Sequence, residues 1–328
     1  MSYYRPIVAE RGAHCLAGGW ARFDQVEVLG RNQTGQVVLA DRIPAPALAR
    51  LTAPRAPIMK AAMDAPQVMG ILNVTPDSFS DGGDFVDVDL AVARAVQMQT
   101  DGAQFIDIGG ESTRPGATEV PIADEIARVA PVIAGITAKT DALISVDTRK
   151  SKVVAAVPQD VLVNDVSAMR FDPTMADVVA QRGAPICLMH SIADPETMQA
   201  HAAYDNVLLD VYDHLAERIA FAEAAGISRD KIIVDPGIGF AKTLDHNLAL
   251  VRGLSLFHGL GCPMLLGASR KRFIGTLGKA PDAKDRLGGS VAVALEGVRQ
   301  GGQILRVHDT FATKQAVDLH MAIGEAGA

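Results

Sequence analysis

Asp107, Asp147 and Asp235 each sit in or directly after a short apolar run, and the amide Asn164 does the same. Carboxylates among apolar neighbours are costly to bury unless something binds them. As a set they can accept hydrogen bonds from the N–H edge of a flat amino-heterocycle, while Asn donates and accepts together. A second set is cationic. Arg114, Arg306 and His308 suit a phosphate, which arginine can hold with two parallel bonds. Another apolar run leads to Ser269-Arg-Lys271. Asn73, followed by the polar stretch 75–83, can offer an oxygen to Mg2+, a cation that binds substrate phosphates with few protein ligands. The chemistry is that of an aminated heterocycle carrying a phosphate or diphosphate.

These residues need a scaffold that brings distant strand ends together. The stretch Phe105-Ile-Asp-Ile-Gly-Gly-Glu-Ser-Thr-Arg-Pro-Gly116 shows the pattern most clearly. It begins as a buried strand, admits Asp107, and breaks at two glycines that let something approach the backbone. Glu111, Ser112, Thr113 and Arg114 then supply acceptors, hydroxyls and a cation. Apolar runs at 68–72, 105–108, 142–146, 161–163, 185–189, 231–234, 263–266 and 303–307 alternate with helix-like stretches at 88–100, 122–139, 204–225, 244–260 and 286–300. A short helix after the fourth run and a weak one near 151–157 complete the alternation. Gly102, Gly183, Gly226 and Gly261 follow helices where a left-handed cap residue is needed. Eight strand–helix units over about 260 residues match a closed (β/α)8 barrel. An open doubly wound sheet is the competitor, but no Gly-x-Gly-x-x-Gly opens the first helix.

A single aspartate after a strand is usually a helix cap, and Asp165 is read that way. A polar residue at every strand end, mixed in type, is read as an active site on the C-terminal face of the barrel. His190 belongs to this series. His201, His214, His246, His258 and His320 fall on helices or their edges and are read as surface or capping residues.

The chain has 328 residues, 48% hydrophobic and 21% charged, with a net charge of -7 and no basic block. That fits a globular core and argues against nucleic acid as a partner. Cys15, Cys187 and Cys262 lie far apart without metal or disulfide spacing, which points to a reducing, cytoplasmic setting. No run approaches the length of a membrane helix. The HExxH and Gly-x-Ser-x-Gly signatures are also absent, and Asp235-Pro-Gly-Ile-Gly-Phe-Ala-Lys242 is neither a P-loop nor a dinucleotide fingerprint. Residues 1–65 read as an extension of unknown role, and 66–328 as the barrel. The extension holds a β-hairpin at 23–29 and 36–40 around Gly30-Arg-Asn-Gln-Thr-Gly35, then a proline-marked linker at Pro44, Pro46, Pro54 and Pro57. Trp20 is read as a packing residue.

From residue 68 onward the chain resembles the dihydropteroate synthases. Met69-Gly-Ile-Leu-Asn-Val-Thr-Pro-Asp-Ser-Phe-Ser-Asp-Gly-Gly83 is similar to the family's first loop and Gly109-Gly-Glu-Ser-Thr-Arg-Pro-Gly116 to its second. Ser145-Val-Asp-Thr148, Asn164-Asp165, Asp235-Pro-Gly237, Ser269-Arg-Lys271 and Arg306-Val-His-Asp309 follow in the family's order. The resemblance implies a (β/α)8 barrel, usually dimeric, that condenses a dihydropterin methyl diphosphate with 4-aminobenzoate in an SN1-like reaction. It implies that Asp147, Asn164, Asp235 and Lys271 bind pterin with Asp107 beneath, and that Asn73 binds Mg2+. Arg306 and His308 would hold the diphosphate, Thr113 would also reach the pterin and diphosphate, and Phe79, Thr113, Arg114, Pro115 and Ser269 would surround the aminobenzoate. Asp107, Arg114, Asp147 and Lys271 are the expected catalytic set. Ile238, Ala241 and the residues after Met189-His-Ser191 depart from the family pattern but remove no expected ligand. Two alternatives remain: a methyltetrahydrofolate-dependent methyltransferase, which would need no anion site, and a non-catalytic pterin-binding homologue, which would have lost the two loops.

Overall fold

The computed structural model describes residues 2–31, 33–75, 87–112, 117–192 and 202–325. Within them, the apolar runs form strands buried along almost their whole length, as strands covered on both faces must be. These are β5 (Gln67–Asn73), β6 (Phe105–Gly109), β7 (Leu143–Asp147), β8 (Leu162–Asp165), β9 (Ile186–Met189), β10 (Ile232–Asp235), β11 (Leu265–Leu266) and β12 (Ile304–Val307). They pair in parallel in the order β10-β9-β8-β7-β6-β5-β12-β11. A parallel bridge between Val234 and Met264 brings the two edges together, and the barrel expected from the alternation is realised.

Helices cover the outside: α2 (Val88–Thr100), α3 (Ile122–Thr137), α4 (Ser151–Ala156), α5 (Met175–Arg182), α6 (Val207–Ala224), α7 (Leu244–Arg252), α8 (Arg272–Leu277), α9 (Leu287–Arg299) and α10 (Thr310–Glu325). Local chemistry sets their ends. The Asp87 side chain accepts from Leu90 N, and Thr243 with His246 forms a reciprocal capping box on α7. Gly183 ends α5 at φ 60°. The single helix expected at 244–260 is instead α7 followed at Gly253 by a 3-10 stretch, Leu254–Leu260. In that stretch Leu254, Leu256, Phe257 and Leu260 are all buried, a spread that one helical stripe cannot provide.

The extension is more ordered than its sequence suggests. The expected hairpin is present as β3 (Arg22–Gly30) and β4 (Gln33–Leu39), and it is joined by β1 (Tyr3–Ala9) and β2 (His14–Cys15). The expected linker holds a helix, α1 (Ala45–Thr52). Pro44 is its N-cap and Pro46 lies in its first turn, where the missing N–H leaves no bond unmade. Leu51, Phe23, Val26 and Leu16 form the small core of this layer. Trp20 fastens it to the barrel, donating from Nε1 to Val298 O at 2.8 Å. Tyr3 donates to Asp213 at 2.8 Å, and Arg31 bonds Asp210 and Asp213.

Ile58, Ala61 and Met63 then close the lower end of the barrel, packing with Met69, Phe105, Leu162, Cys187, Ile233, Leu265 and Ile304. The floor is therefore apolar. The polar residues of the interior lie above it, at the C-terminal strand ends, where a low dielectric strengthens each interaction they make.

Candidate active site

Register alone aligns much of the set. Asp107 of β6 pairs with Ser145 of β7, Gly109 with Asp147, and Asp147 with Asn164 of β8. Because side chains alternate along a strand, Ser145 and Asp147 share one face. Asp107 is fully buried and accepts from Ser145 Oγ at 2.5 Å and from Asn164 Nδ2 at 3.3 and 3.2 Å on its two oxygens. Arg306, from β12, spans the gap between two carboxylates. Its Nε donates to Asp107 Oδ2 at 2.6 Å and its terminal nitrogen to Asp147 Oδ2 at 2.7 Å. Asp147 Oδ1 is buried with no hydrogen-bond partner among the described residues.

Asp235, at the end of β10, accepts from Gly237 N at 2.7 Å. Gly237 has φ 67°, and a Cβ there would stand 2.1 Å from His190 O, so only glycine allows the chain to turn so close to β9. Lys271 precedes α8 and carries its Nζ 4.2 Å over the Phe240 ring. Ser269 and His308 meet through Oγ and Nδ1 at 3.0 Å, and His308 N donates to the same oxygen at 3.2 Å. Arg270, next to Ser269 in sequence, pairs with Asp309 and ties the β11 and β12 ends together.

The electrostatics follow from burial. Burial pushes Asp147 above the ordinary carboxylate range; Arg306 pulls against this, while Asp107 and more distant acids add to it. Asp235 is also raised by burial, against the Gly237 amide, Lys271, Arg306 and Lys242. Burial would lower Arg306, but Asp107 and Asp147 hold it firmly protonated. The mouth thus has acceptors that favour incoming N–H donors and a fixed cation among them.

Asn73 ends β5 at the same mouth and is half-buried. Among the described residues no three His, Cys, Asp or Glu side chains cluster to hold a metal. One neutral amide oxygen fits a hard cation that takes most of its ligands from substrate and water, so Asn73 suits Mg2+. Phe79, Thr113, Arg114 and Pro115 lie outside the described residues.

Several expectations change. His190 follows β9 as expected but is buried, its Nδ1 at 3.0 Å from Lys242 Nζ and its ring edge-on to His214 at 4.7 Å. His214 is therefore not a surface residue, and burial lowers its pKa to about 4. His258 is fully buried, bonded through Nε2 to Gln300 O at 3.0 Å, and burial lowers its pKa to about 3. His246 is the capping residue expected. The helix cap expected at Asp165 is instead a turn cap, with Asp165 accepting from Ser167 N, Ser167 Oγ and Met169 N. Ser145 was not singled out by its chemistry, although its place two residues before Asp147 puts it on the same face. Lys242, wholly buried, also lay outside the candidates; burial lowers its pKa to about 7, with Asp235 opposing.

Comparison with known proteins gives a single answer. A family model described as a pterin binding enzyme matches residues 69–308. The chain is 44% identical over 254 residues to the dihydropteroate synthase of Escherichia coli strain K12, covering 77% of this chain and 89% of that one. It is 47% identical over 262 residues to a probable bifunctional folylpolyglutamate synthase/dihydropteroate synthase of Haloferax volcanii, covering 79% of this chain but spanning only 31% of that protein's length. Among solved structures, the dihydropteroate synthase of Xanthomonas albilineans in complex with 7,8-dihydropteroate superposes with a TM-score of 0.73 at 40% identity, over 82% of this chain and 98% of that one. The chain belongs to the pterin-binding enzymes, as a member of the dihydropteroate synthase family.

Proposed function

We propose that the chain condenses (7,8-dihydropterin-6-yl)methyl diphosphate with 4-aminobenzoate, giving 7,8-dihydropteroate and diphosphate in folate biosynthesis. What carries the reading is the gathering of Asp107, Asp147, Asn164 and Asp235 at the mouth where Arg306 and His308 also end. The family membership favours the synthase over a methyltransferase that shares the barrel.

Asp147, Asn164 and Asp235 accept from the amino and ring N–H groups of the pterin, with Asp107 below and Lys271 at the rim. The bond between the methylene carbon and the bridging oxygen breaks, and its electron pair leaves with the diphosphate. The positive charge on the methylene spreads into the ring nitrogens, where the carboxylates stabilise it. The arylamine lone pair then forms the C–N bond and its proton passes to solvent. No strong base is required. Arg306 and His308 hold the departing diphosphate. Ser269, bonded to His308, would meet the aminobenzoate, and the family resemblance assigns Phe79, Thr113, Arg114 and Pro115 to the same substrate. Asn73 would hold Mg2+, which when bound neutralises charge on the leaving group.

The exposed side chains Leu248, Leu277, Leu287, Phe311, Leu319 and Ile323 lie on α7 to α10 and support a homodimer through these helices. Light scattering should give twice the monomer mass, with Phe311→Arg shifting it toward one chain. Three free cysteines, two of them buried, agree with a cytoplasmic enzyme. Among the described residues no helix is long and apolar enough to cross a membrane. The test of the activity is direct: dihydropteroate and diphosphate form in equal amounts from the two substrates, and chelation of Mg2+ suppresses both. Methyl transfer from methyltetrahydrofolate without diphosphate release would overturn the assignment.

A further inference from the structure

Behind the pterin carboxylates lies a second polar cluster, formed where the ends of β6 and β7 meet the start of α3. Glu111 follows Gly109, which ends β6, and Gly110; Arg149 and Lys150 follow β7, and Glu125 is in the first turn of α3. All four are buried. Arg149 donates to Glu111 Oε1 at 2.7 Å, and its guanidinium lies 4.1 Å over the Phe171 ring. Lys150 Nζ donates to Glu111 Oε2 at 2.5 Å and to Glu125 Oε2 at 2.8 Å. Its third bond goes to a backbone oxygen, Val120 O, at 2.6 Å. Glu111 Oε2 accepts from the amide of the same residue, Val120 N, at 2.8 Å.

Val120 is thus gripped on both of its backbone groups by one carboxylate–ammonium pair. It closes the segment that Glu111 opens, and Arg128 of α3 fixes the opening side as well by donating to Gly110 O at 2.9 Å. The two ends of the segment carrying Thr113, Arg114 and Pro115 are therefore tied to each other across its neck. They are also tied to β7, because Lys150 comes three residues after Asp147 in the same strand end. A movement of that strand end would displace a pterin carboxylate and the neck of the second loop together.

Stability alone is a poor reason for this cluster. Two cations and two anions taken out of water have a desolvation cost that apolar residues of the same volume avoid, often with no loss of stability. What apolar residues cannot do is hold a backbone N–H and C=O in one place. The network also spends the full donor capacity of the lysine.

We propose that Lys150, acting through Glu111, is a positioning residue for the arylamine step: it fixes the neck, Glu111 to Val120, of the segment to which the reading above assigns aminobenzoate contacts. This rests on the function proposed above. Loosening the neck frees the segment assigned to the second substrate, while Asp107, Asp147, Asn164 and Asp235 keep their own hydrogen bonds. A displacement of about 1 Å in a positioning group can cost on the order of 100-fold in rate.

The test uses the full-length chain as Glu111→Gln and as the balanced double variant Glu111→Gln/Lys150→Met, which removes one charge of each sign. Melting curves establish folding. Calorimetry with the dihydropterin diphosphate alone, steady-state kinetics in 4-aminobenzoate, and hydrogen exchange of peptides covering 111–121 are then compared with wild type. We expect pterin binding within about 3-fold of wild type, kcat/KM for aminobenzoate reduced by about 100-fold, and faster exchange confined to the neck peptides. Unchanged aminobenzoate kinetics in a folded variant, or an equal loss of pterin binding, would overturn the proposal. If the double variant does not fold, Glu111→Gln decides by the same criteria. If wild type makes no dihydropteroate, the functional reading falls, and the exchange comparison still decides whether the neck is held.

Discussion

Replacing Asp235 by asparagine separates what this carboxylate does for the fold from what it does for the substrate. Asp107 and Asp147 share Arg306, but Asp235 has no salt bridge among the described residues and is supported by the Gly237 amide at 2.7 Å. Burial raises its pKa, and the nearby cations and the amide only partly reverse this. In the unfolded chain the group titrates near its ordinary value of about 4. Between that value and the raised one, the native state holds more protons than the unfolded state, so stability falls as pH rises through the window. An asparagine at this position has the same shape, keeps an oxygen for Gly237 N, and does not titrate. The variant Asp235→Asn should therefore melt higher than wild type at pH 8, with the gain shrinking toward pH 4. Each kcal/mol recovered raises Tm by about 2–4 °C in chains of this general size.

Activity moves the other way. An asparagine amide facing the donor edge of the pterin opposes N–H with N–H and removes a charge placed to favour the cationic methylene. Loss of one preorganised electrostatic partner in a dry site costs about 3–4 kcal/mol, or roughly 100- to 1,000-fold in rate. Calorimetric or dye-based melting at pH 4, 6 and 8, beside a diphosphate-release assay, measures both. Turnover within threefold of wild type, or a Tm gain that grows toward acid, would refute the reasoning.

Other substitutions test other parts of the structure. Gly237→Ala places a Cβ 2.1 Å from His190 O at φ 67°, so urea titration should show a loss of at least about 1–3 kcal/mol. Ser145→Ala removes the 2.5 Å bond to Asp107 and leaves a buried acceptor short of a donor; a loss of about 1.5–3 kcal/mol is expected in the same titration. Arg306→Met leaves Asp107 and Asp147 buried without their shared cation. It should abolish diphosphate release, and its stability deficit against wild type should be larger at pH 8 than at pH 5, because Asp147, raised by burial and lowered by Arg306, then holds its proton to higher pH. Arg55 donates to Ala53 O, Arg50 O and His258 O beneath the extension, so Arg55→Met should lower Tm while leaving kcat unchanged.

Legibility followed the contrast between a residue and its neighbours. Asp107 could be read because an acid inside Phe105-Ile-Asp-Ile violates the pattern of a buried strand, and the eight-unit rhythm located the face on which it ends. The partners could not be read. Lys150 lies 39 residues from Glu111, and Arg306 lies 199 from Asp107, so only the closed sheet brings them together. The extension was obscure for a local reason. The burial of β1 does not alternate strictly, and Pro6 interrupts its strand signal. The prolines that open α1 look like a linker until the helix behind them is seen. His258 read as surface because its burial depends on the break at Gly253, which turns a second apolar face inward.

What remains unmet in the site describes the ligand better than what is paired. Arg306 answers one oxygen of Asp107 and one of Asp147. Ser145 and Asn164 complete the shell of Asp107, so that carboxylate has little capacity left and sits two residues deeper along the barrel than Asp147. Asp147 Oδ1 is buried without a donor among the described residues, and Asp235 receives a single backbone N–H. Burying such oxygens costs free energy that the folded chain does not recover by itself. A flat molecule offering N–H groups on one edge would satisfy both aspartates, whereas an acceptor-rich ring would add to the cost. Sequence reading supplied the types of these residues. The geometry separates Asp107, already satisfied, from Asp147 and Asp235, which still need donors.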